Sequence, residues 1–192
     1  MPVTIHGRAA DDLRFIRRAM ERSSTFTAVP GYGGAAMGTV GVAAAVAGAM
    51  QPTPERWLAS WIIAAAIAFV IGVVAMRHKA AHAGVPLTGA QARRFGLGLS
   101  APLAAGAALT AGLSAAGHWS LMPSVWLLLY GAGVVTGGIL SVPTVLVMGL
   151  CFMVLGVAAM ATPPAWGNIW LGVGFGFVQI GFGLYIARKH GG

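Results

Sequence analysis

A stretch without Asp, Glu, Lys or Arg runs from Phe95 to Ala187 and reads FGLGLSAPLAAGAALTAGLSAAGHWSLMPSVWLLLYGAGVVTGGILSVPTVLVMGLCFMVLGVAAMATPPAWGNIWLGVGFGFVQIGFGLYIA. It takes up nearly half of the 192 residues. A water-soluble domain needs a solvated surface, and charged residues usually make up about a quarter of it. Here they make up 8%, against 57% hydrophobic residues. The composition therefore predicts an integral membrane protein whose uncharged stretch crosses the bilayer several times.

The apolar segments favour helices over a β-barrel. Within lipid, only these two structures pair every backbone N–H and C=O internally. Barrel strands alternate polar and apolar residues over about ten positions. The segments of this chain are instead continuously apolar over about twenty residues, the length of a spanning helix, and are rich in Ala, Leu, Val and Gly. We therefore expect an all-α fold, a polytopic membrane helix bundle.

Six segments have the length that a membrane-spanning helix needs, roughly 17–25 residues. Several are separated by prolines, which lack the backbone N–H and clash with the preceding helical turn. The predicted spans are approximately 30–50, 57–76, 95–117, 121–140, 143–161 and 166–187. They form a six-helix transmembrane domain over residues 29–192, which follows a polar N-terminal segment over residues 1–28.

The N-terminal segment is expected to contain a basic amphipathic helix from Asp11 to Arg22. Leu13, Ile16 and Met20 recur at helical spacing, and the rest of the surface carries Arg14, Arg17, Arg18 and Arg22. This pattern is typical of a helix that lies on a membrane surface. The alternative is a cytosolic helix that packs on the bundle.

The basic residues predict the orientation of the bundle. With six spans and a cytoplasmic N-terminus, Arg56 is the one basic residue on the outer side. This is a strong positive-inside pattern, and it favours a multi-pass protein of a cell inner membrane with both termini in the cytoplasm. The alternative, five helices with a re-entrant segment, would place Arg188 and Lys189 on the wrong face.

The predicted partner of the basic residues is lipid. They sit at the ends of the spans, where anionic headgroups would meet them, so the net charge of +8 predicts no nucleic-acid partner. The expected membrane-surface contacts are Arg14, Arg17, Arg18, Arg22, Arg77, Lys79, Arg93 and Arg94. Three tryptophans fall at predicted outer ends, where indole rings favour the interface: Trp57, Trp119 and Trp166.

Glycine supplies the main packing signal within the spans. Small residues four positions apart let helix backbones approach closely, which matters because lipid gives no hydrophobic drive for helix association. Such pairs are Gly34 with Gly38, Gly133 with Gly137, and Gly172 with Gly176. They predict packing within one chain, or alternatively a seam between copies in a homo-oligomer.

Few side chains in the predicted spans carry chemistry. Ionisable residues are the usual mark of proton and ion pathways in membranes, and none is predicted inside the bilayer. No nucleophile has an activating base, so we predict no catalytic residues and no enzyme activity. Tyr130, Thr136 and Gln179 are candidates for contacts to a ligand or between helices.

Pro102 and Pro123 lie inside or near the start of predicted spans. Each could kink its helix and free a carbonyl oxygen for a ligand. The simpler interpretation, particularly for Pro123, is a place in the first turn of a helix.

His78 and His82 are the only candidates for a metal site. Their spacing can place two imidazoles on one helix face. However, no Cys, Asp or Glu accompanies them in that loop, and Arg77 and Lys79 would repel a cation. We therefore expect a hydrated interfacial pair and predict no metal and no cofactor, although a bound lipid is expected.

The block Pro123-Ser-Val-Trp-Leu-Leu-Leu-Tyr-Gly-Ala-Gly-Val-Val-Thr-Gly-Gly resembles a family of uncharacterised small bacterial six-helix integral membrane proteins. So do Met148-Gly-Leu-Cys-Phe-Met-Val-Leu-Gly and Trp166-Gly-Asn. The resemblance implies the fold and covers most of the chain. It implies no activity and no role for any residue.

The sequence leaves two main functions open. The first is a non-enzymatic sensor or partner subunit, which binds a neutral lipophilic ligand or lipid within the bundle and signals through the basic N-terminal helix to a cytoplasmic protein. The alternative is a permease or channel for a small uncharged solute. A membrane enzyme comes last, because no acid–base pair is found.

Overall fold

The computed structural model of the chain describes residues 29–84, 87–139 and 141–190. In these ranges it contains six helices that are long and apolar enough to cross a membrane, and no β-strand. The prediction of an all-α bundle with six helices of spanning length is therefore confirmed for the described residues. The predicted N-terminal helix, with Arg14, Arg17, Arg18 and Arg22, lies outside them.

The first five spans are regular α-helices, which we number in chain order. They are α1 (Gly31–Ala49), α2 (Pro54–His82), α3 (Ala90–Ala115), α4 (Met122–Gly138) and α5 (Pro143–Met160). The sixth, α6, joins an α-helical turn (Gly167–Leu171), a π-helical segment (Gly172–Val178) and a final α-helix (Gln179–His190). Short 3₁₀ turns precede α4 and α6, at Trp119–Leu121 and Pro164–Trp166.

Two helices extend beyond their predicted bounds by about five residues at one end. α2 begins at Pro54 rather than near residue 57, because the Thr53 side chain caps it by accepting a hydrogen bond from the Arg56 N–H at 3.4 Å. It also continues through His82, and basic side chains in a last turn suit the negative end of the helix dipole. α3 begins at Ala90, about five residues early. The hydropathy pattern marked only the apolar part of each helix.

Successive helices run in opposite directions, so chemically different residues gather at the two ends of the bundle. We call the end where α1, α3 and α5 begin the basic end. It holds Arg77, Lys79, Arg93, Arg94, Arg188 and Lys189. We call the other end the tryptophan end, and it holds Trp57, Trp119 and Trp166. The ends therefore differ in charge, as the six-span prediction requires.

The helices pack as two connected groups. α1 lies between α2 and α6, α4 lies between α3 and α5, and α6 also contacts α4 and α5. Large apolar side chains such as Ile63, Phe69 and Val154 remain exposed on the outside of the bundle. An exposed apolar surface of this extent is typical of contact with a membrane.

Glycines allow the closest helix contacts, and those contacts lie within one chain. A Cβ on Gly38 would come within 2.5 Å of Ile180 Cγ1 in α6. On Gly41 it would overlap the Phe175 carbonyl group. α4 and α5 meet in the same way, since a Cβ on Gly131 would lie 2.7 Å from the Gly149 oxygen. Every one of the predicted glycine pairs faces another helix of the same chain: Gly34, Gly38, Gly133, Gly137, Gly172 and Gly176.

The π-helical segment contains three of the buried glycines of α6. Wide π turns are rare and often lie at functional sites. Here Gly172, Gly174 and Gly176 are all buried against neighbouring helices, and a Cβ on Gly174 would lie 2.5 Å from Leu127 Cδ2. Bulky residues could not fit these positions, and the segment brings Phe175 into contact with aromatic rings of other helices.

We predict that Gly41→Ala lowers the free energy of unfolding by about 1–3 kcal/mol, because the methyl group overpacks the α1–α6 contact. Gly112→Ala is the matched control, since a Cβ on Gly112 in α3 meets no heavy atom of another element within 4 Å. That change should be neutral or stabilise by up to about 1 kcal/mol through helix propensity. Thermal unfolding in detergent measures both, and equal effects would contradict the packing described.

Candidate functional site

Six aromatic side chains connect four helices in the interior. This aromatic cluster consists of Trp57, Trp61, Trp126, Tyr130, Phe152 and Phe175. The Trp57 and Trp126 rings stack, with centroids 5.5 Å apart and an interplanar angle of 8°. Tyr130 meets Phe152 at 4.7 Å and Phe175 at 5.0 Å, both edge to face. Such pairs contribute about 0.5–1.5 kcal/mol beyond their burial, so the cluster fixes α2, α4, α5 and α6 relative to one another.

Asn168 joins three helices at the tryptophan end of this cluster. Its Oδ1 accepts hydrogen bonds from the indole N–H groups of Trp57 and Trp61, each at 3.1 Å. The two indoles reach the same atom because residues four apart share a face of α2. Asn168 Nδ2 donates to the carbonyl oxygen of Ala45 in α1 at 2.7 Å. One amide side chain therefore links α1, α2 and α6.

An open vestibule of about 500 Å³ lies above Asn168 at the tryptophan end. Its walls come from the α1–α2 turn, the turn before α4 and the start of α6. They include Gln51, Thr53, Trp57, Trp119, Ser120, Pro123, Pro164, Ala165, Gly167 and Asn168. Each described lining residue is uncharged. The vestibule thus offers indole faces together with hydroxyl and amide groups, which suits a neutral molecule with both apolar and polar parts.

Fully buried side chains fill the bundle beneath the vestibule. Leu127 follows Pro123 by one turn of α4, and Leu171 follows Gly167 by one turn of α6. Both have 0% of their surface exposed, as does Phe152 of α5. The vestibule therefore ends on a packed floor.

Tyr130 and Gln179, two of the predicted contact residues, come together below this floor. The Tyr130 hydroxyl donates to Gln179 Oε1 at 3.4 Å, joining α4 to α6. Gln179 is buried, and Tyr130 belongs to the aromatic cluster. The pair makes an interhelical contact and lies outside the vestibule lining.

Thr136, the third predicted contact residue, lies elsewhere and meets α3. Its Oγ1 is 2.7 Å from the carbonyl oxygen of Gly98 and 2.9 Å from that of Ala132 in its own helix. Pro102 explains why the Gly98 carbonyl lacks its usual hydrogen bond within α3. A proline inside α3 has no N–H to bond the carbonyl four residues earlier. The freed carbonyl is met by the Thr136 hydroxyl, whereas Pro123 occupies the first turn of α4.

His78 and His82 lie in the last two turns of α2, inside the helix rather than in the predicted loop. Their rings are 4.2 Å apart, and His82 Nδ1 lies 2.9 Å from the His78 carbonyl oxygen. Within the described part of the chain, no group of three His, Cys, Asp or Glu residues could hold a metal ion.

Nearby, Lys79 Nζ donates to the Val29 carbonyl oxygen at 2.9 Å and ties α2 to the start of α1. Arg77, Arg93 and Arg94 are exposed at the basic end.

The sequence did not reveal the central role of Asn168. Asn168 was not among the candidate contact residues, and Trp57 was expected to be an interfacial ring. The structure adds that the Trp57 indole N–H donates to Asn168. The available signal was a pair of tryptophans four residues apart in one predicted helix and a single amide at the start of another. One sequence does not show which helices are in contact.

Comparison with protein-family models, with curated proteins and with solved structures gives no match to this chain. The resemblance to small bacterial membrane proteins therefore stays a prediction.

We predict that Asn168→Leu lowers the free energy of unfolding by about 1–3 kcal/mol, because two indole N–H groups lose their acceptor. In a Trp61→Phe background the cost should be smaller, since one donor is already gone. Gln51→Leu makes a similar exchange where the amide bonds only the end of the preceding helix α1, at the Ala47 carbonyl. It should change stability by less than about 0.5 kcal/mol. Equal losses for the two Leu variants would contradict the role of Asn168.

We also predict that Thr136→Val costs about 1 kcal/mol, the scale of an interhelical hydrogen bond in a membrane protein. Pro102→Ala restores an N–H that can bond Gly98, so the same Thr136→Val change should then cost close to nothing. A double-mutant cycle from thermal unfolding in detergent measures this difference. An unchanged cost in the Pro102→Ala background would show that the hydroxyl does not serve the freed carbonyl.

Proposed function

We propose that this protein is a non-enzymatic integral membrane protein of a bacterial inner membrane, a sensor or partner subunit that binds a neutral lipophilic ligand or lipid in the vestibule. The observation that carries the proposal is an uncharged vestibule of about 500 Å³ whose base is the Asn168 junction. Sites for small molecules commonly combine apolar walls with a few placed polar groups in this way.

The lining defines the chemistry of the ligand. The Trp57 and Trp119 rings would cover a flat or aliphatic apolar part. The hydroxyls of Thr53 and Ser120 can donate or accept hydrogen bonds to a carbonyl, ether or hydroxyl group. A charged group would find no described partner of opposite sign in the lining, so burial there would be costly.

The Asn168 junction supports a sensing role. A ligand can shift a conformational equilibrium only through contacts that differ between two states. Here a vestibule residue holds α1, α2 and α6 through three hydrogen bonds. A ligand that competes for Asn168 or displaces Trp57 would change the relation of α1 to its neighbours. Because α1 follows the N-terminal segment, such a shift would reach residues 1–28 and a cytoplasmic partner.

The positive-inside rule supports the orientation within this proposal. The basic end would face the cytoplasm, together with both termini, and the tryptophan end with its vestibule would face outwards. In this orientation the vestibule opens towards the outer leaflet and the periplasm.

The alternative is a permease for a small uncharged solute, which would need a path past Leu127, Phe152 and Leu171. Their complete burial favours binding over passage. Flux of glycerol into proteoliposomes no faster than into empty vesicles agrees with the binding proposal, whereas rapid flux that saturates would favour the permease.

The binding proposal is tested by filling the vestibule. We predict that native mass spectrometry of the full chain, released gently from membranes, detects one bound neutral lipophilic molecule. Ala165→Phe should abolish this adduct, because Ala165 is exposed within the lining. Ala161→Phe is the matched control, since Ala161 is exposed at the same end outside the lining, and it should retain the adduct.

Two results would overturn this proposal: a wild-type chain without a neutral adduct, or an adduct that survives Ala165→Phe. The sensing role has its own readout, the hydrogen exchange of amides in residues 1–28. Exchange should differ between the loaded wild type and Ala165→Phe, and match between wild type and Ala161→Phe. Identical exchange in all three chains would leave a binding protein that does not signal through its N-terminal segment.

A further inference from the structure

A second cavity lies at the basic end of the bundle, the end opposite the vestibule. It is a groove of about 600 Å³ between the start of α5 and the end of α6. Its apolar lining includes Val147, Val178, Gly181 and Phe182, and its outer limit is formed by Tyr185 and Lys189. Pro143 and Thr144 complete the lining, so the groove is mostly apolar and is cationic at one end.

The dimensions of the groove match one leaflet of a bilayer. An α-helix rises 1.5 Å per residue, so α6 advances roughly 16 Å from Val178 to Lys189. Half of a hydrocarbon core about 30 Å thick is close to this length. The Lys189 ammonium group then lies at headgroup level when Val178 lies near the middle of the membrane.

Space within the groove comes from Gly181. A Cβ on this glycine would meet no heavy atom of another element within 4 Å, unlike the tightly packed glycines Gly176 and Gly183 on the same helix. Gly181 therefore leaves room between α5 and α6, and an acyl chain could lie against Val147 and Phe182.

The positive charge at the end of the groove favours an anionic ligand. Lys189 Nζ lies 3.2 Å from the Tyr185 hydroxyl and 5.5 Å from the centre of its ring, so the two form one polar unit. The basic end gathers several cations, whereas Glu55, the one acidic side chain among the described residues, lies at the tryptophan end. No described carboxylate side chain can therefore neutralise Lys189.

We infer that this groove binds one anionic phospholipid, with an acyl chain between α5 and α6 and the phosphate at Lys189 and Tyr185. The ammonium group donates to phosphate oxygens, and the phenol hydroxyl can donate a further hydrogen bond. The site differs from the vestibule in its end of the bundle, its charge and its ligand, and it does not rest on the proposed function.

The test is native mass spectrometry of the delipidated full chain titrated with phosphatidylglycerol or with phosphatidylcholine of the same acyl chains. The wild type should bind phosphatidylglycerol about fivefold more tightly, the effect of roughly one basic side chain at a membrane surface. Lys189→Gln should remove this preference while phosphatidylcholine still binds. Arg188→Gln, which changes the exposed neighbour outside the lining, should keep most of it.

A second pair of variants tests the groove itself. Gly181→Leu should fill the space and weaken the first binding event of both lipids, whereas Gly112→Leu, at another uncrowded glycine, should leave it unchanged. Equal effects of Lys189→Gln and Arg188→Gln would show that general surface charge, rather than this site, causes the preference for phosphatidylglycerol. Unchanged binding in Gly181→Leu would also overturn the inference. Ala165→Phe should leave phosphatidylglycerol binding intact, so failure of the vestibule proposal and failure of this site are distinguishable.

Discussion

A peptide group in lipid has no water to bond, so backbone groups within the bilayer must find partners inside the protein. This constraint dictates the helices of an uncharged stretch as long as residues 95–187. It also explains what happens where a proline interrupts the backbone hydrogen bonds of α3. Pro102 leaves the Gly98 carbonyl without its usual donor, and Thr136 of α4 supplies one at 2.7 Å. A defect in one helix thereby becomes a contact between two.

The same constraint governs the few polar side chains in the interior. Among the described residues, every buried side-chain nitrogen or oxygen atom has a hydrogen-bond partner. Asn168 serves three groups at once, and Gln179 pairs with Tyr130. With glycines bringing α1 close to α6, these contacts hold a bundle that carries no charge in its middle. The two candidate binding sites therefore lie at the ends of the bundle. The vestibule at one end is uncharged, and the groove at the other end is cationic around Lys189.

Much of the fold could be predicted from the sequence, because hydropathy and proline breaks are local signals. The number of spans and the gathering of basic residues at one end followed from them, whereas the full lengths of α2 and α3 did not, since their polar ends continue the helix. The candidate site was harder to predict from the sequence. Tyr130 and Gln179 were named for their polarity, and the structure joins them. The bonds of Asn168 to Trp57, Trp61 and Ala45 depend on which helices meet, and the π-helical segment depends on packing around Gly174.

The proposed topology has six crossings, with the basic end and the tryptophan end on opposite sides of the membrane and the basic end inside. Cysteine labelling tests this directly, in a Cys151→Ser background that removes the one native cysteine. Ala83→Cys marks the exposed α2–α3 turn at the basic end, and Ala116→Cys marks the exposed α3–α4 turn at the other. In intact spheroplasts, a membrane-impermeant maleimide should label Ala116→Cys at once and Ala83→Cys only after permeabilisation. Labelling of both from the same side, or in the reverse order, would contradict this topology.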